Sequence, residues 1–308
     1  MKLAFLFPGQ GAQKPNFLNE LPPSSVLEDV MTEVNETLDE NIYTLDTEEA
    51  LSSTRAVQLT LLTAGIATYR AFEEVGVTPG FVAGHSIGAF GAAVAAGVIT
   101  FKDAVKIVNL RGQLMEQPYP EGYGMGVVNG IEANRIQALI TKYYDEKYPI
   151  FMSNRNAPNQ ITISGALPGI QKVLDDVSLN GARSAALLNV STPSHCPLLS
   201  SVTERLKEAL NEIPLYRPSI PYAGNRRARL LSDPVDIRLD LAESVSAPVQ
   251  WHDASTVLYE KGVRLFIEMP PGNVLSRLAT NAFPEARALS VTDNGFEDCH
   301  YVVSTKNW

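Results

Sequence analysis

The segment that most constrains this chain is Phe81 to Gly88, where the apolar run Phe81-Val82-Ala83 meets Gly84-His85-Ser86-Ile87-Gly88 and small apolar residues follow. A short apolar run bounded by glycine reads as a buried strand, and a segment apolar on every side reads as a buried helix. A strand that turns at once into a helix leaves no room for Cβ atoms beside its central residue, and the G-x-S-x-G spacing meets that demand. Such a turn holds the Ser86 hydroxyl at a helix N-terminus, where the dipole and the free amide of Ile87 favour a developing oxyanion. Ser86 is therefore the candidate nucleophile. The pentapeptide alone is a cheap pattern; the strand before it and the helix after it give it weight.

The flanking segments extend this unit. Leu3 to Phe7 reads as a second buried strand, ended by the turn Pro8-Gly9-Gln10-Gly11, which places Gln10 to offer a second oxyanion amide. Apolar residues recur at helical spacing from Ala56 to Phe72, and Phe101 to Met115 reads as a further helix. Strand alternating with helix implies a mostly parallel sheet with helices on both faces. The pattern then changes to strand 125–129, helix 132–144, strands 150–153 and 160–164, helix 168–179 and strand 184–190, the ferredoxin-like order. Strands at 220–223 and 265–269, with a helix at 251–259 between them, resume the first pattern. No clear element is expected after about Asp293.

A serine nucleophile needs a base, and the chain has four histidines: His85, His195, His252 and His300. His85 adjoins Ser86 on a turn that should aim its ring away. His252 and His300 read as surface residues. His195 lies where the inserted segment rejoins the main one, a seam of the kind where clefts form, and is the best of the four.

The bulk properties exclude other classes. The 308 residues, 45% of them hydrophobic, suffice for one large domain with an insertion. A net charge of −9 disfavours nucleic-acid binding. The one dense basic run, Arg226, Arg227 and Arg229, reads either as a solvated turn or as a docking patch beside the Ser86 cleft. Two cysteines without a CxxC pair or His/Cys cluster suggest no metal and no disulfide framework. No segment reads as a signal peptide or membrane span, so a cytoplasmic location is expected.

The blocks FPGQGAQ (7–13), GHSIGAF (84–90), RGQLM (111–115), NQITISG (159–165), PSHCPLL (193–199) and PVQW (248–251) resemble the malonyl-CoA:acyl-carrier-protein transacylases, in family order and over nearly the whole chain. The resemblance implies an acyltransferase with an α/β-hydrolase-like parallel-sheet core (1–123 and 191–308) and an inserted ferredoxin-like subdomain (124–190). It implies malonyl transfer from malonyl-CoA to an acyl carrier protein through a Ser86 ester, without a bound cofactor. His195 would be the base, Gln10 and Ile87 the oxyanion amides, and Arg111 the clamp on the malonyl carboxylate. The backbone carbonyl of Gln250 would orient His195, so that a Ser-His dyad needs no third acid. Within the family, the short lead-in to FPGQGAQ, 53–62, GHSIGAF with the small-residue run after it, and 117–125 look most like the transacylase (epsilon) subunit of malonate decarboxylase, implying that enzyme's carrier subunit, and its other subunits, as partners. Ala89 stands where fatty-acid-synthesis members usually carry an acid. A transacylase of fatty-acid or polyketide synthesis is the alternative. An α/β-hydrolase esterase fits less well, since its histidine lies near the C-terminus, and a non-catalytic scaffold need not retain Ser86, His195 and Arg111 together.

Overall fold

A computed structural model describes residues 2–119, 121–190 and 192–305. Pro120 of the 117–125 block, Ser191 at the expected subdomain seam, and both chain ends lie outside the described residues. In chain order the elements begin with β1 (Lys2–Phe7), α1 (Ser25–Leu38), α2 (Thr54–Glu74), β2 (Phe81–Gly84), α3 (Gly88–Ala95) and α4 (Phe101–Glu116). Next come β3 (Tyr123–Asn129), α5 (Ala133–Tyr143), β4 (Ile150–Ala157), β5 (Gln160–Ala166), α6 (Leu167–Leu179) and β6 (Ser184–Leu187). The chain continues through α7 (Ser200–Asn211), β7 (Tyr222–Ala223), β8 (Leu230–Leu231), α8 (Pro234–Glu243) and α9 (Trp251–Glu260). It ends with β9 (Val263–Glu268), α10 (Val274–Ala282), β10 (Arg287–Ser290), α11 (Val291–Asn294) and α12 (Phe296–Thr305).

The larger sheet has the order β10-β9-β1-β2-β7-β8. All its pairs are parallel except the short β7–β8 edge. The apolar run of β1 is explained by its central place, since a parallel strand covered by helices buries both of its faces. Leu3, Phe5 and Phe7 pack into the cluster with α2 and α3, while Ala4 and Leu6 face the cluster formed with α9 and α10. The smaller sheet has the order β4-β5-β3-β6, antiparallel throughout, with α5 and α6 covering its apolar face. This is the ferredoxin-like arrangement. Strand β4 is tied to the segment leading into α9, where Arg155 N–H donates to the Val249 carbonyl (2.9 Å) and Val249 N–H to the Ser153 carbonyl (2.9 Å).

Three expectations need correction. The region after Asp293 is helical, because α12 packs Cys299 and Val302 into the core and the Phe296 ring lies tilted against Phe72 at 4.5 Å. The strand expected at 220–223 pairs in regular fashion only at Tyr222 and Ala223. Pro221 beside them has no N–H to give to a ladder. Strand β6 ends at Leu187, short of Val190, with one further backbone bond to β3 from Leu188 N–H to the Met125 carbonyl (2.9 Å). The sequence pattern also leaves out helices α1, α7, α8 and α10, which bury three or four residues each.

Candidate active site

The elbow at Ser86 is built as its glycines require. A Cβ on Gly84 would lie 2.0 Å from the Gly88 carbonyl, and one on Gly88 would lie 2.1 Å from the Phe7 carbonyl oxygen. Neither contact is tolerable, so strand β2, helix α3 and the end of β1 meet only with glycine at both places. Ser86 itself holds φ +55°, in the left-handed region. That conformation costs a non-glycine residue on the order of 1 kcal/mol and marks strain at a site where other groups must fix the backbone.

His195 Nε2 lies 2.8 Å from Ser86 Oγ. Both side chains are buried. His195 Nδ1–H donates to the carbonyl of Ser244 (2.5 Å), and the His195 backbone N–H donates to the Val245 carbonyl (2.8 Å). The orienting carbonyl is thus not that of Gln250. Ser244 caps the C-terminus of α8, where the last carbonyls lack intrahelical partners, and His195 satisfies one of them. The Gln250 backbone N–H instead donates to the Asn225 carbonyl (2.8 Å), and its side-chain oxygen accepts from Arg155 (3.5 Å). Burial pushes the His195 imidazole down to about 3, the Arg111 charge pushes the same way, and the Ser244 bond opposes both. Neutral His195 with Nδ1 protonated leaves the Nε2 lone pair facing Ser86 Oγ.

Arg111 projects from α4 with no exposed surface, and its Nη2 donates to Ser86 Oγ at 3.4 Å. Its Nε and Nη1 have no hydrogen-bond partner, and no acidic side chain pairs with it among the described residues. Burial alone lowers it, to about 10. A guanidinium sealed away with two unpaired nitrogens is unfavourable unless an anion completes it. The Gln10 and Ile87 backbone amides also lack acceptors among the described residues. Gln10 lines the Ser86 cavity and its side-chain oxygen accepts from buried Gln58 (3.3 Å). That cavity, about 80 Å³, is lined by Met125 and Asn154 of the small sheet, by Ser86 in the elbow after β2, and by His195 in the loop between β6 and α7. A groove of about 250 Å³ adjoins it, sharing Gln10, His85, Asn154 and Leu188.

The other sequence candidates resolve differently. His85 turns from Ser86, its Nε2–H donating to Asn156 Oδ1 (3.0 Å), and burial lowers it to about 4. His252 begins α9 and His300 lies within α12, both half-buried and neither among the residues lining the Ser86 cavity. The basic run is not a free cationic patch. Arg226 pairs with Glu243 and Arg229 with Asp236 (3.3 Å), and all three arginines line a separate cavity of about 130 Å³ that also holds Asp240. Two residues that the sequence reading missed touch the site directly: Ser244, through its carbonyl, and Asn225, whose side chain bonds the elbow backbone. A carbonyl carries no side-chain signal, and Asn225 stands in a polar loop where asparagine is ordinary. No helix among the described residues is long and apolar enough to cross a membrane, and no group of three metal-ligating side chains occurs among them.

A serine with a neutral imidazole on its hydroxyl, free amides beside it and a buried unpaired arginine can form and break an acyl ester while holding an anionic acyl group. Comparisons with known proteins agree with that chemistry. Residues 4–298 match the model of the acyl transferase domain. The malonyl CoA-acyl carrier protein transacylase of Bacillus subtilis (strain 168) is 37% identical over 298 residues, covering 95% of this chain and 94% of that protein. A crystal structure of the acyl-carrier-protein S-malonyltransferase of Burkholderia pseudomallei 1710b is similar, with a TM-score of 0.92 at 32% identity over 98% of this chain and 100% of that one. A solved complex of a type II PKS acyl-carrier protein with its malonyl-transacylase contains a chain similar at a TM-score of 0.91 and 30% identity, covering 100% of each chain. The fold, the matched domain and these full-length relatives together place the chain in the malonyl-CoA:acyl-carrier-protein transacylase family of acyltransferases.

Proposed function

We propose that this enzyme moves malonyl from malonyl-CoA to an acyl carrier protein through an ester on Ser86. The observation that carries the malonyl reading is Arg111, wholly buried, with two unpaired nitrogens, 3.4 Å from the Ser86 hydroxyl. A carboxylate can take two parallel hydrogen bonds from a guanidinium, and a neutral acyl group would leave that charge uncompensated.

In the first half-reaction His195 Nε2 takes the Ser86 Oγ proton as the oxygen attacks the thioester carbonyl. The Gln10 and Ile87 amides receive the oxyanion. The imidazolium is stabilised by the Ser244 carbonyl and by the negative end of α8. The C–S bond then breaks and His195 returns the proton to the CoA sulfur. In the second half the carrier's thiol gives its proton to His195 and attacks the ester, and the Ser86 oxygen leaves with that proton. A backbone carbonyl behind the imidazole makes a weaker base than a carboxylate would. Each half-reaction exchanges the Ser86 oxygen with a thiol, and thiols ionise more readily than alcohols.

As carrier we propose the acyl carrier protein of fatty-acid or polyketide synthesis. Its support is the naming of the relatives above as malonyl CoA-acyl carrier protein transacylases, one of them solved with a polyketide carrier. A malonate decarboxylase carrier is supported only by the likeness of the lead-in to FPGQGAQ, residues 53–62, GHSIGAF with the run after it, and 117–125. The test has two stages. Mass spectrometry of the protein mixed with malonyl-CoA should find a malonyl adduct on the Ser86 peptide, and an adduct retained in Ser86→Ala would sink the assignment. The relative kcat/KM for a phosphopantetheine-bearing carrier and one with a dephospho-CoA-derived arm then decides the pathway.

A further inference from the structure

We propose that Asn225 is a positioning residue for acyl transfer, its side-chain amide clamping the main chain on both sides of the nucleophile; this rests on the assignment of Ser86 above. Asn225 is 2% exposed. Its Oδ1 accepts the Ser86 backbone N–H (3.0 Å) and its Nδ2 donates to the Gly84 carbonyl (2.8 Å). These are the two main-chain groups that a strand neighbour of β2 would have engaged. The β2–β7 ladder ends at the Ala83–Ala223 pair, and the chain of β7 then turns away. A primary amide offers one acceptor and one donor in a fixed plane, so it extends the ladder past the point where backbone pairing stops.

Two consequences bear on chemistry rather than on fold alone. Ser86 sits at φ +55°, and its amide is held by Asn225, so that amide is turned away from the oxyanion while the Ile87 amide stays free. Asn225 also shares its anchor with the base. Its own N–H donates to Asp240 Oδ2 (2.9 Å), and the Arg226 N–H donates to Oδ1 of the same carboxylate (3.0 Å). Asp240 belongs to α8, the helix whose capping residue Ser244 presents its carbonyl to His195. The Ser244 N–H in turn bonds the Asp240 carbonyl (3.0 Å). One helix end thus fixes the nucleophile through Asp240 and Asn225, and the base through Ser244. The 2.8 Å separation of Ser86 and His195 is set by that common frame. The Gln250 N–H bond to the Asn225 carbonyl closes the frame from the other side.

Asn225→Asp and Asn225→Ala test the role by single-turnover malonylation of Ser86, alongside the affinity for malonyl-CoA and the melting temperature. When ionised, the carboxylate that Asn225→Asp introduces keeps an acceptor for the Ser86 amide but turns an oxygen on the Gly84 carbonyl, next to the Asp240 carboxylate. When protonated, it is an isostere of the asparagine amide, with its hydroxyl as the Gly84 donor. At pH 8 both variants should acylate roughly 10- to 100-fold more slowly than wild type, the size expected for losing two buried hydrogen bonds in the transition state. Affinity for malonyl-CoA should change little. Relative to wild type at each pH, Asn225→Asp should regain its rate as the pH falls to about 5.5, while Asn225→Ala stays flat. The groups facing position 225 are Asp240, Tyr222 through its bond to Asp240, and Arg226, and all are retained in both variants. Folded Asn225→Ala acylating within two-fold of wild type would overturn the proposal, as would a pH-independent loss in Asn225→Asp. The alanine variant introduces no buried charge, so it remains a test if the aspartate variant does not fold at pH 8. Failure of wild type to form the Ser86 adduct would instead strike the functional assignment, before Asn225 is in question.

Discussion

Replacing Arg111 with methionine tests the link between burial, charge and selectivity. The guanidinium is fully buried, two of its nitrogens have no partner, and burial pulls its ionisation down to about 10. Methionine fills much of the same space without a charge, so the change removes the anion contact while leaving little cavity. Losing one partner of a buried, hydrogen-bonded charge pair costs about 2–5 kcal/mol. For malonyl transfer that is a fall of roughly 30- to 4,000-fold in kcat/KM. Acetyl transfer should not fall and should rise. The unpaired charge no longer penalises a neutral acyl group, and its removal also lifts a repulsion that holds His195 down. The variant should melt no lower than wild type, because two of the three nitrogens removed have no partner to lose and the third makes only a long bond to Ser86 Oγ (3.4 Å). The assay is single-turnover labelling of Ser86 by malonyl-CoA and by acetyl-CoA, followed by intact mass, with melting of the unliganded protein in parallel. Equal losses for the two acyl groups would refute the clamp, and a large drop in melting temperature would refute the claim that the charge is uncompensated.

His195→Ala should slow acylation and transfer to the carrier alike, by roughly 10²- to 10⁴-fold, since one imidazole serves both directions; quenched-flow measurement of each half-reaction checks this, and a defect confined to one half would contradict it. The histidine should also appear in stability. In the unfolded chain it titrates near 6.5, in the fold at about 3, so the unfolded state binds more protons between these values. The stabilising contribution of neutral His195 is complete above pH 6.5 and is lost as the pH falls through that window, by roughly 2 kcal/mol down to pH 5. Glu268, raised to about 7, and Asp46, raised to about 6, have the opposite sign and lose stability as the pH rises. Only the difference between wild type and His195→Gln isolates the term: urea midpoints at pH 7 and pH 5 should converge at the lower pH. Replacing Arg226, Arg227 and Arg229 by glutamine should leave the salt dependence of the carrier KM nearly unchanged, because two of the three are already paired; a flattened salt slope would show that these pairs open to meet the carrier.

Much of this site is written locally in the chain. The elbow follows from an apolar strand, two glycines and a small-residue helix, all within about fifteen residues, and each of those features has a steric cause readable from residue type alone. The first strand, its Gln10 turn and the ferredoxin-like alternation are legible for the same reason: their periodicity records which faces are buried. Helix α12 is harder to read, because it buries only Cys299 and Val302, a pair that gains meaning only from what packs against it.

The long-range bonds were decided by tertiary structure. His195 could be ranked first among four histidines, but the acceptor behind it is a main-chain carbonyl 49 residues away, a group that every residue possesses. Placing that carbonyl at Ser244 rather than Gln250 depends on where α8 ends in space. Asn225 lies 139 residues from Ser86 and reads in sequence as an ordinary loop asparagine; only the turn of the chain after β7 brings its amide to the open end of the β2 ladder. The pairing of the basic run is of the same kind, since Glu243 and Asp236 reach those arginines from α8, a helix that the local pattern did not reveal. Residue type fixes what a group can do, whereas main-chain acceptors and long-range partners acquire identity only when the fold gives them a position.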